Sequence, residues 1–222
     1  EPEPALGGRQ LQLNQGRIVG GSSSINGMLW LRGQGSDYDH WRQLGCAGWS
    51  GDDVLPFFRK AEDSDRGASP LHGAGGPVAI KRARLQLPVC DLFLGAMGAA
   101  GFPLVEDSNA EVPEGFGRMD VNIRGGRRHS AATAYLDPAR TRPNLEVLAE
   151  AQATRLLVEG GRAIGVAYRG AGGHGEVRAA REVILCCGGI TTPQLLLLSG
   201  IGPAAELAPL GSRAFVPIWR RP

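Results

Sequence analysis

The 222-residue sequence lacks the marks of several large protein classes. No apolar run approaches the ~20 residues a membrane-spanning helix needs, and no signal-peptide pattern opens it. Cysteine is sparse: Cys46, Cys90, Cys186 and Cys187 form no C-x-x-C pair, and the histidine spacing does not suit zinc. Cys186 and Cys187 sit in an apolar run and are expected as buried thiols in a reducing compartment. Charge is ordinary: 21% of residues are charged and the net charge is +2, which speaks against disorder and against a nucleic-acid partner. Basic residues are scattered except for Arg124, Arg127 and Arg128 around a Gly-Gly pair, read as a solvated loop.

Glycine is what the chain has in excess, 34 residues, roughly twice the usual ~7%. It is clustered rather than periodic, which excludes collagen and implies tight turns or close backbone approach. The apolar fraction of 42% suffices for a core, and the length suits one large domain or two small ones.

The pattern predicts an α/β (α+β) chain. Helices are expected at Ser22 to Leu31, Tyr38 to Leu44, Asp52 to Ala61, Val89 to Ala100 (closed by Gly101) and Ser130 to Tyr135. Asp52 and Asp53 lead the third of these and Arg59 and Lys60 trail, which complements the helix dipole. Pro56 is placed in its first turns. Residues 63–77 and 103–115 read as loops. Strands are expected at Gly117 to Ile123, Leu145 to Leu148, Ala163 to Tyr168, Glu176 to Ala179 and, buried, Val183 to Cys187. After Gly188-Gly189 the pattern turns helical, with Thr191 and Thr192 as caps and Pro193 near the first turn.

Two glycine clusters compete as phosphate-binding loops. Gly170-Ala171-Gly172-Gly173-His174-Gly175 matches G-x-G-x-x-G, but a strand pattern follows it where a dinucleotide loop needs a helix. It reads as a hairpin tip. Gly20-Gly21-Ser22-Ser23-Ser24 opens a helical pattern. Its glycines can turn backbone N–H groups into an anion nest, and three hydroxyls add donors. A capped helix after a flexible turn accounts for the same residues.

Taken together, Gly16-Arg17-Ile18-Val19-Gly20-Gly21-Ser22-Ser23-Ser24-Ile25-Asn26-Gly27-Met28 and the run Gly189 to Pro203 resemble the two signatures of the glucose–methanol–choline (GMC) oxidoreductase family. Asp37 to Trp41, Gly115 to Gly117, Ser130 to Leu136, Asn144 to Leu148 and Gly161 to Val166 match it as well. Glu1 to Pro4 and Glu114 to Asp120 suggest its choline-oxidising branch.

The resemblance implies a partial FAD-binding domain over residues 1–211, with part of the substrate-side region. Residues 212–222 depart from the family text and are expected to lie outside the fold. It implies that Ile18, Gly20, Gly21 and Ser22 line the flavin and pyrophosphate side. Asn26, Gly27, Met28 and Leu29 would run along the isoalloxazine ring, and the Ala153 backbone would meet the adenine. Some relatives link flavin covalently through a His where this chain has Ile25, so FAD is expected to be noncovalent. The family's dinucleotide fingerprint is expected upstream and its catalytic His downstream, leaving no catalytic residue here. His40, His72, His129 and His174 are accordingly read as surface or loop residues. The implied reaction is hydride transfer from a primary alcohol, choline among them, to flavin N5, with an electron acceptor of unidentified kind. Another primary alcohol as substrate, or a noncatalytic truncated product, are the competing readings.

Overall fold

Side-chain caps decide where the first helices begin. Gln34 N–H donates to Asp37 Oδ2 at 2.8 Å, opening α1 (Gly35–Gln43). Ser50 N–H donates to Asp53 Oδ2 at 3.0 Å and Asp53 N–H donates back to Ser50 Oγ at 3.2 Å, opening α2 (Gly51–Ala61). Pro56 is the sixth residue of α2, deeper than expected, so the Asp52 carbonyl loses its helical donor. The computed structural model describes residues 4–83, 87–111 and 114–208. They fall into two compact units, residues 1–146 and 147–222.

In the first unit α2 runs into β1 (Glu62–Ser64), which pairs in parallel with β2 (Val78–Arg82), Glu62 opposite Val78 and Ser64 opposite Ile80. Then come α3 (Pro88–Ala99), with Pro88 in its first turn, and the short parallel pair β3 (Leu104–Val105) and β4 (Phe116–Gly117). Next, β5 (Asp120–Val121) lies antiparallel to β2, and β6 (Ile123–Arg124) forms a hairpin with β7 (Arg127–Arg128). A strand expected over Gly117 to Ile123 is therefore broken. Val121 pairs with Lys81, while Asn122 N–H turns to Met28 O at 2.9 Å. Ser130 to Tyr135 is helical as expected, but as a wide π turn (Ala132–Leu136) leading into α4 (Asp137–Ala139). Val78, Ile80 and Ala134 form the core here, with Trp30 packed on it.

The second unit is a meander of β8 (Gln152–Glu159), β9 (Arg162–Gly170) and β10 (Gly173–Arg178), followed by α5 (Gly188–Leu198) and α6 (Ala204–Leu207). Gly170 pairs with Gly173 across Ala171-Gly172, so the G-x-G-x-x-G string is a hairpin tip, as its flanking strand pattern implies. The ladder of β8 shifts register between Ala153 and Arg155 and between Leu157 and Val158. Leu156 N–H donates to Ser199 Oγ at 2.8 Å, and that hydroxyl donates to Leu195 O at 2.6 Å. Ser199 thereby pins the end of α5 to β8.

Several expectations fail. Ser22 to Leu31 is not a helix: only a 3-10 turn over Gly21–Ser24 forms. Leu145 to Leu148 is not a strand, because Leu145 N–H closes a turn onto Arg142 O at 3.1 Å. Val183 to Cys187 makes no ladder among the described residues and is not buried, with Ile184 76% exposed and Cys186 also exposed. Thr191, Thr192 and Pro193 lie inside α5, and Cys187 occupies the N-cap. Residues 212–222 lie outside the described residues.

Candidate flavin cradle

Gly20 and Gly21 set the backbone of the cradle. Both take left-handed φ, +91° and +56°, and Gly21 N–H donates to Ile18 O at 2.8 Å. A Cβ on Gly20 would meet Ser24 Oγ at 2.5 Å, and one on Gly16 would meet Gly21 O at 2.3 Å. A Cβ on Gly21, by contrast, would meet nothing within 4 Å, so the backbone there borders open space.

The hydroxyl hydrogens of Ser23 and Ser24 are taken up within the loop, whereas Ser22 Oγ serves there as an acceptor. Ser22 Oγ accepts from Gly16 N–H at 3.3 Å, and Ser24 Oγ donates to Val19 O at 2.9 Å. Ser23 Oγ donates to Gly20 O and accepts from Ala131 N–H at 3.0 Å. All three hydroxyl oxygens take part in holding the loop's shape.

The remainder of the loop is held from a distance in sequence. Asn26 Oδ1 accepts from Met28 N–H at 3.0 Å, and Met28 takes a left-handed φ of +61°. Arg128 Nη1 donates to Ser23 O at 3.1 Å and to Asn26 Oδ1 at 2.7 Å. Arg128 is thus a half-buried clamp and not part of a solvated loop. Leu29 forms a bridge with Val121, and Trp30 N–H donates to Asp120 O at 2.8 Å. Along this stretch Ile18, Ile25 and Leu29 are 50–60% exposed.

A cavity of about 350 Å³ adjoins the loop, lined among others by Asn26, Leu29, Trp30, Asn122 and His129. Asn122 Nδ2 donates to His129 O at 2.8 Å, but Asn122 Oδ1 is buried with no partner among the described residues. His129 and His72, expected at the surface, are both buried. His129 Nδ1 accepts from Ala79 N–H at 3.0 Å, which places the ring hydrogen on Nε2. Burial first, then the nearby Arg124, lowers the His129 pKa, with Asp63 opposing. Asp107 is also lowered: burial acts against this and is outweighed by hydrogen bonds from His72 and Asn109 N–H, with Arg66 adding attraction.

The structure therefore brings Ile18, Gly20, Gly21, Ser22, Asn26, Gly27, Met28 and Leu29 into one loop. Ala153 lies on β8 in the second unit, opposite Tyr168. Sequence reasoning missed Arg128 and Asn122. Their signal was the Gly125-Gly126 turn, with φ of +56° and +74°, which returns the chain past the cradle. Among the described residues no cluster suited to a metal ion is present.

The family model for GMC oxidoreductase matches residues 4–216, and the chain belongs to that family. It is 47% identical over 207 residues to an oxygen-dependent choline dehydrogenase of Brucella anthropi, covering 93% of this chain and 38% of that protein. Among solved structures, pyridoxine 4-oxidase from Mesorbium loti superposes with a TM-score of 0.89 at 35% identity, covering 98% of this chain and 43% of that one. An FAD-dependent oxidoreductase from Chaetomium thermophilum gives a TM-score of 0.85 at 33% identity, over 95% and 39% respectively. The chain thus spans well under half the length of these relatives.

FAD, the cofactor this family implies, is compatible with the residues present. Gly21 offers open backbone, Ile18, Ile25 and Leu29 offer exposed apolar surface to a ring, and Asn122 Oδ1 is an unused buried acceptor beside the loop.

Proposed function

We propose that this chain is the flavin-cradling part of an FAD-dependent alcohol oxidoreductase acting on a primary alcohol, choline first among the candidates. The observation that carries the reading is the left-handed Gly20-Gly21 loop, open at Gly21 and faced by apolar side chains, in a chain matched by the family model over residues 4–216. FAD, when bound, supplies an acceptor for the hydride that leaves the alcohol carbon. The chain's own residues bind and orient. Gly16 and Gly20 allow the close turn, and Ile18, Gly20, Gly21 and Ser22 line the flavin and pyrophosphate side. Asn26, Gly27, Met28 and Leu29 run along the ring and keep water from it.

Ile25 has no nucleophile, so FAD is held noncovalently at this position. Acid precipitation of the full-length holoprotein is expected to leave the yellow colour in the supernatant, and colour retained in the pellet overturns the noncovalent reading.

The full-length protein is expected to turn over choline with an artificial electron acceptor. Purified protein without flavin absorbance sinks the proposal as a whole. Flavin-loaded protein that ignores choline and oxidises another primary alcohol favours the second reading, which the pyridoxine 4-oxidase likeness supports.

A further inference from the structure

We propose that His72 is a positioning residue for the flavin-facing loop, acting through Glu62 on Trp30; this rests on the cradle reading above. Glu62 is fully buried, with 0% exposure. A carboxylate there must be paired and hydrogen-bonded. Its Oε1 accepts from Trp30 Nε1–H at 2.7 Å, and its Oε2 accepts from Gly73 N–H at 3.0 Å and faces His72 Nδ1 at 3.2 Å.

His72 is 3% exposed, and its other nitrogen, Nε2, lies 2.8 Å from Asp107 Oδ2. Both ring nitrogens are thus within hydrogen-bond distance of a carboxyl oxygen, with the donor at each contact set by where the ring hydrogens sit. Asp107 Oδ1 accepts from Asn109 N–H at 2.8 Å, and Asn109 Nδ2 donates to Trp30 O at 3.0 Å. The path is a closed circuit: Trp30 side chain, Glu62, His72, Asp107, Asn109 and back to the Trp30 main chain.

A second arm reaches the remaining polar group of Trp30. Arg66 donates to both Asp120 oxygens at 3.0 and 3.1 Å, and Asp120 O accepts from Trp30 N–H. Trp30 Nε1–H is thus held by the Glu62 carboxyl, its N–H by the Asp120 main-chain carbonyl and its O by the Asn109 side-chain amide. Trp30 stands two residues beyond Met28, where the cradle's left-handed turn ends. Buried ions are a costly way to gain stability alone. Their convergence on one residue at the cradle's exit points to orientation of that loop.

The test uses the full-length protein with His72→Gln, Trp30→Phe and the double variant, reading the FAD dissociation constant and the flavin absorption band. Folding is checked by circular dichroism. Each single change is expected to weaken FAD about tenfold, the scale of one lost charged hydrogen bond, and to shift the flavin band. The double variant is expected to be no worse than the weaker single, since both changes cut one path. Trp30→Phe removes one hydrogen bond and no charge, so it carries the test should His72→Gln not fold. A lower melting temperature with wild-type flavin affinity and band overturns the proposal, as do multiplicative losses in the double. Wild-type protein that binds no FAD overturns the cradle reading itself.

Discussion

At the scale of single residues, the cradle depends on what glycine omits. Gly16→Ala would drive a methyl group into the Gly21 carbonyl at 2.3 Å, so that turn must open. In the full-length protein we expect FAD affinity to fall at least ~fivefold, given the 1–3 kcal/mol typical of local backbone strain. Equilibrium titration with FAD checks this. The glycines of the loop were legible in the sequence, because clustered glycine marks tight turns and close backbone approach directly. The role of Arg128 and the burial of His72 and His129 were not. Polar residues next to polar residues read as surface, and the partners that permit their burial lie in other elements, Glu62 ten positions from His72 and Ala79 fifty from His129.

His129 also carries a pH dependence. Its folded pKa lies below the ordinary 6.5, so the unfolded chain binds the proton more readily. The stabilising contribution is whole above about 6.5 and is lost as pH falls from there through the folded value. Asp107 acts in the same direction in the more acidic range. Melting temperatures of the full-length protein are expected to drop between pH 7 and pH 5. His129→Gln, which cannot titrate, should flatten that slope.

At the scale of elements, legibility followed the locality of the causes. α2, α3 and the β9–β10 hairpin were readable because their caps, dipoles and turn residues lie within or beside them. β1 was not, since Glu-Asp-Ser has no strand pattern and gains its order from pairing with β2. The apolar run Val183 to Cys187 failed the other way: strand-like composition makes no strand by itself, and none of the described residues pairs with it in a ladder. The second family signature has a local job legible only in the structure. Its Ser199 takes up the Leu156 N–H beside the shifted register of β8. Ser199→Ala leaves that buried N–H unpaired and is expected to cost about 1–3 kcal/mol. Chemical denaturation of the full-length protein measures it.

At the scale of the whole molecule, the described residues leave much apolar surface uncovered. On α3 alone Val89, Leu92 and Phe93 are 65%, 72% and 51% exposed. Surfaces of this kind are normally covered. The 222-residue chain on its own is expected to bind a hydrophobic dye and to self-associate, whereas the full-length protein should do neither. Light scattering and dye fluorescence distinguish the two.

The clamp on the cradle also sets an order of assembly. Ser23 is tied to Arg128 and Ala131, which follow it by 105 and 108 positions. Contacts of such long range demand closure of a large loop before they return any free energy, and they form late in folding. A nascent chain still lacking those residues holds the signature sequence without its shape. Cofactor capture therefore waits on synthesis of the segment beyond Gly126, and a ribosome-stalled series of lengths should gain flavin affinity only after that point.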